Sequence, residues 1–77
     1  MIDISFNNNR RHTFMLTTSP SENGFVYGFC CMDRQGISFS ALDLSPNRSF
    51  VEKVVDFFNR IQPEPENIPD YLESLLS

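Results

Sequence analysis

Seventy-seven residues, 40% of them apolar and 13% aromatic, give material for one hydrophobic core. A chain this short buries only about 60–65% of the surface it exposes when unfolded, so a second deep cavity for a cofactor is not expected. The net charge of −4 is uneven: residues 45–77 hold three basic and six acidic side chains, and nothing basic follows Arg60. That distribution offers no basic face and argues against direct nucleic-acid binding.

The first half repeats with period two. Ile2–Phe6 alternates strictly, and Asn7-Asn8-Asn9 marks a turn because Asn tolerates left-handed backbone angles. His12–Thr18 follows, with Phe14 and Leu16 on one face and Thr13, Met15 and Thr17 on the other. Ser19 to Gly24 reads as a loop by composition. Phe25–Met32 sets Phe25, Tyr27, Phe29 and Cys31 against Val26, Gly28, Cys30 and Met32. After a tight Arg34-Gln35-Gly36 connection, Ile37–Leu42 sets Ile37, Phe39 and Ala41 against Ser38, Ser40 and Leu42. Short connections and strict alternation predict an antiparallel meander with one buried, aromatic face.

The period changes after Ser45. Ser45 and Pro46 suit a helix cap and first helical position. At about 100° per residue, Phe50, Val51, Val54, Val55, Phe57, Phe58 and Ile61 share an arc about 160° wide. Gln62-Pro63-Glu64-Pro65 interrupts that helix. Ile68, Tyr71, Leu72, Leu75 and Leu76 recur at helical spacing, and Pro69 fits a first turn, so a second helix starts near Asn67 or Ile68. The expectation is a single two-layer α+β domain over 1–77. In it a four-stranded antiparallel meander (1–44) carries two C-terminal helices (45–77) on one face, in the order ββββαα.

No catalytic, cofactor-binding or metal-ligating set is expected, and the chain reads as a non-enzyme. His12 is the only histidine, beside Arg11 at a strand start, where an exposed or edge position is expected. Asp3, Asp33 and Asp43 are scattered, and there is no CxxC. Cys30 and Cys31 are adjacent and so point to opposite faces of a strand, as free thiols suited to a reducing compartment. No apolar run approaches about 18 residues and no leader is evident, so a cytoplasmic location without a membrane partner is expected.

Two surfaces are candidates for a protein partner. Met15, Val26, Cys30, Met32 and Leu42 lie on the sheet face that the helices leave uncovered, among Thr and Ser and without a central charge. That face suits a protein-binding module, including a homodimer, with a strand edge as the other docking mode. The alternative is the acidic set Glu64, Glu66, Asp70 and Glu73, which suits a small phage- or mobile-element-type inhibitor bound to a nucleic-acid-processing or defence protein.

Tyr27-Gly28-Phe29, then Leu42-Asp43-Leu44-Ser45-Pro46, then Val51, Val54, Val55, Phe58 and Asn59, and finally Tyr71, Leu72, Leu75 and Leu76 form a combined pattern. Over about residues 25–77 it resembles a family of short proteins from Gram-positive anaerobic bacteria grouped as a domain of unknown function. The family's inter-helix segment carries a His-Leu pair where this chain has Asn67-Ile68-Pro69. The resemblance implies a small bacterial cytoplasmic protein and brings no catalytic residues.

Overall fold

The computed structural model describes residues 11–76. Three antiparallel strands, β1 (Thr13–Ser21), β2 (Gly24–Asp33) and β3 (Gly36–Ser45), lie in the order β1-β2-β3. Helix α1 (Arg48–Ile61), a 3₁₀ turn (Pro65–Asn67) and helix α2 (Ile68–Leu76) follow. The α+β class stands, but the four-stranded meander is corrected to three strands among the described residues; the Ile2–Phe6 run and the Asn7–Asn9 turn lie outside them.

The physical reason for the correction lies at the outer edge of β1. The main-chain groups of His12 and Phe14 turn away from β2, toward the place a fourth strand would take. Two side-chain amides occupy them instead. Phe14 N donates to Asn59 Oδ1 at 2.9 Å, and Asn59 Nδ2 donates to Phe14 O at 3.0 Å. His12 N donates to Gln62 Oε1, and Gln62 Nε2 donates to His12 O, both at 2.9 Å. Asn59 and Gln62 thus satisfy groups that an edge otherwise leaves open to another strand. The β1–β2 register runs unbroken from Thr13↔Met32 to Ser21↔Gly24, so alternation places Pro20 in the outward set as well. Its missing N–H faces away from the ladder, which is why the Ser19–Gly24 segment continues as strand to Ser21 instead of forming the expected loop.

The second hairpin closes on Asp33↔Gly36. Asp33 Oδ1 accepts the Gln35 N–H at 2.8 Å, and Gly36 adopts φ 123°, a backbone angle that strains any residue with a Cβ. β3 then departs from regular alternation twice. Cys31 pairs with Phe39 but Met32 pairs with Ile37, so one extra residue, Ser38, shifts the strand. Ile37 is thereby moved from the aromatic face, where alternation put it, to the opposite face beside Met32, and it is 65% exposed. Farther on, Leu42, Asp43 and Leu44 stand against the single residue Gly28, between the pairs Phe29↔Ala41 and Tyr27↔Ser45. The β3 backbone crosses so close that a Cβ on Gly28 would collide with Ala41 O and sit 2.6 Å from the Leu42 carbonyl carbon.

The core is aromatic, as the composition demands. Phe14, Phe29, Cys31, Val51, Val54, Val55, Phe58 and Ile68 are buried. Phe58 is the hub, with ring centroids 5.3 Å from Phe14 and 5.4 Å from Phe29. Burying one such ring contributes about 2–3 kcal/mol from area alone. Phe25, grouped with these rings by alternation, is instead 59% exposed. β3 ends opposite Tyr27 and the chain turns there into α1, so the end of the β1–β2 hairpin overhangs the core.

α1 is capped by Asn47, whose side chain accepts the Phe50 N–H at 3.1 Å. Ser45, the expected cap, ends β3, and its Oγ accepts the Asn47 N–H at 3.0 Å. The helix stops at Gln62, a non-glycine residue in the left-handed region (φ 54°) whose N–H bonds Phe58 O. α2 starts where expected, with Pro69 in its first turn. Ile68 anchors it in the core, and Tyr71 meets Phe57 and Phe58 edge-on at 6.2 and 6.0 Å. Leu75 and Leu76 remain exposed.

Candidate interaction surface on the bare face of the sheet

Strand alternation puts Phe14, Leu16, Phe29, Cys31, Phe39 and Ala41 under the helix and a second set on the opposite side. Cross-strand pairs Met15↔Cys30, Cys30↔Ser40, Met32↔Thr13 and Met32↔Ile37 assemble that second set across all three strands. Met15 is 46% exposed and Leu42 49%, while Cys30, Met32 and Val26 are half-buried. Met15, Cys30 and Met32 are brought together directly. Val26 lies beyond Gly28, opposite Ser19 in the overhanging hairpin, and Leu42 stands beside Gly28 on β3.

Ile37 belongs to this surface, and period-two reading misses it because the inserted Ser38 puts the residues before it out of phase with Phe39 and Ala41. No sequence signal short of the pairing register marks the bulge. The middle of the face has no charged side chain. At one end an open depression of about 430 Å³ is lined by Arg11, Thr13, Met15, Met32, Asp33 and Arg34. An apolar centre with a polar rim is the usual anatomy of a protein interface.

The other chemically suggestive residues are placed elsewhere. His12 is buried, not exposed as expected, because the strand start is drawn under the Gln62–Glu64 connection by the main-chain bonds from Gln62. Neither ring nitrogen has a hydrogen-bond partner, and Nε2 lies 3.9 Å from Glu64 Oε1. Cys31 is fully buried. Burial pushes its thiol up, opposed in part by a hydrogen bond with Ser38, whose Oγ lies 3.4 Å from Sγ and also donates to Cys31 O at 3.2 Å. That makes Cys31 an inert core thiol, whereas Cys30 opens onto the bare face.

The acidic alternative is divided. Glu64 is held by Arg11 at 2.8 Å beside the start of β1, while Glu66, Asp70 and Glu73 are exposed along the 3₁₀ turn and α2. No helix of the described residues is long and apolar enough to cross a membrane, and among those residues no group of three or more His, Cys, Asp or Glu could hold a metal ion.

No protein-family model, curated protein or solved structure matches this chain.

Proposed function

We propose that this chain is a small, non-enzymatic protein-binding module of the bacterial cytoplasm, and that the surface docking on its bare sheet face is a second copy of itself. The observation that carries the reading is the uncharged apolar centre formed by Met15, Ile37 and Leu42, all exposed, around half-buried Cys30 and Met32. A two-fold interface needs only a patch complementary to itself. This patch meets that condition despite the net charge, because Glu52, Asp56, Glu66, Asp70 and Glu73 all lie on the helical elements. The β1 edge is closed by Asn59, Gln62 and Pro20, which favours face-to-face docking over strand addition there. Two free thiols that cannot pair with each other support a reducing compartment.

The area sets the strength. Three strands about 4.8 Å apart, each contributing about eight residues at about 3.3 Å, present roughly 400 Å² of flat face. Two copies together bury about 800 Å² in this way, below the roughly 1,200 Å² of stable specific interfaces, so the dimer is weak and concentration-dependent. Sedimentation equilibrium at rising concentration should show a reversible monomer–dimer equilibrium that Met15→Lys or Ile37→Lys abolishes without lowering the melting temperature. A wild-type chain that stays monomeric at every concentration, or lysine variants that dimerise equally well, would overturn it. Capture of another protein that weakens with salt, and that is lost on charge reversal at Glu66, Asp70 and Glu73, would point to the acidic surface instead.

A further inference from the structure

The bare face changes character along its length. The β1–β2 register pairs Thr13 with Met32, and counting it two residues further brings Arg11 opposite Arg34 on the same side. Both arginines are exposed, and both border the open depression of about 430 Å³, whose other lining residues are Thr13, Met15, Met32 and Asp33. Like charges directly opposed across two strands repel. The described residues relieve only one of the two. Glu64 holds Arg11 at 2.8 Å, whereas no ion pair or hydrogen bond among those residues engages the Arg34 side chain. The neighbouring carboxylate, Asp33, accepts the Gln35 N–H.

We infer that this depression binds a small monocarboxylate with a flat apolar body. Its lining residues carry two positive charges and one negative, which matches a ligand with a single negative charge. A guanidinium presents a planar fork that grips a carboxylate through two parallel N–H···O bonds, and Arg34 has that fork to offer. Arg11 supplies the second positive charge across the opening, and the exposed Thr13 hydroxyl adds a donor beside it. Farther in, Met15 and Met32 set soft thioethers against the body of the ligand, a contact that suits an aromatic ring. The volume is that of a site for a small molecule. The inference does not rest on the dimer, since a monomeric chain carries the whole depression.

The test is a titration of the full chain with 2-naphthoate, followed by its amide nitrogen–proton NMR signals, at protein concentrations where the chain is monomeric. Shifts centred on Thr13, Met15, Met32 and Arg34 are expected, with a dissociation constant of about 1 mM, the scale a small ligand reaches on an open surface. Acetate and the neutral 2-naphthalenemethanol should each bind at least about tenfold more weakly. Arg34 is exposed in the hairpin turn, so Arg34→Gln should leave the fold intact and weaken 2-naphthoate binding by about tenfold. Glu64→Gln releases Arg11 and should tighten binding, whereas Glu73→Gln makes the same change of net charge on α2 and should leave it unaltered. Equal affinity for 2-naphthoate and its alcohol, or unchanged binding in Arg34→Gln, would overturn the site. Equal tightening by both glutamate variants would overturn it too, by reducing it to overall charge.

Discussion

Gln62 ends α1 with a left-handed backbone, where glycine ordinarily replaces other residues to advantage. Relief of that conformation favours Gln62→Gly by about 1 kcal/mol. The side chain argues the other way. Its amide exchanges hydrogen bonds with both main-chain groups of His12 at 2.9 Å and donates to Asn59 O at 3.0 Å. Three part-buried bonds at about 1 kcal/mol each predict a loss of about 3 kcal/mol for Gln62→Ala. For Gln62→Gly the backbone gain offsets part of this, leaving a loss of about 2 kcal/mol. Urea unfolding followed by circular dichroism measures both, and native-state hydrogen exchange should show faster exchange at the His12 amide in each variant. A Gln62→Gly chain as stable as the parent would mean that the amide clasp does not hold the β1 edge.

Gly28→Ala should lose more than about 3 kcal/mol or fail to give a cooperative melt, because the new methyl group meets β3 backbone that cannot move without breaking the bulge. Phe58→Ala should cost about 3–5 kcal/mol, whereas Phe25→Ala should change stability by no more than about 0.5 kcal/mol; equal effects in thermal melts would contradict the assignment of the core. Cys31 gives a pH dependence. Burial raises its thiol above the ordinary value of about 9, so above that pH the unfolded chain has lost a proton that the folded chain keeps. The unfolded state then binds fewer protons and stability falls as pH rises past 9; Cys31→Ala should remove that component of the decline in alkaline unfolding curves.

Much of the architecture was legible from local rules. The amphipathic stripe of Val51, Val54, Val55 and Phe58 specified α1 and its buried side, and Pro69 located the first turn of α2. Period-two alternation assigned Phe14, Phe29 and Cys31 to the core and Met15, Cys30 and Met32 to the opposite face. These features depend on one residue and its neighbours two to four positions away, so composition and spacing suffice to define them.

What required the assembled molecule was every property that joins distant segments. The pairing of Asn59 and Gln62 with β1 spans 45 and 50 residues, and no local pattern distinguishes an amide that clasps a strand from one in water. The Ser38 insertion that turns Ile37 outward, and the crossing of β3 over Gly28, follow from the register between strands, which a single strand does not contain. Sequence periodicity divides side chains into faces; the tertiary contacts alone decide which edge is open and which face is covered.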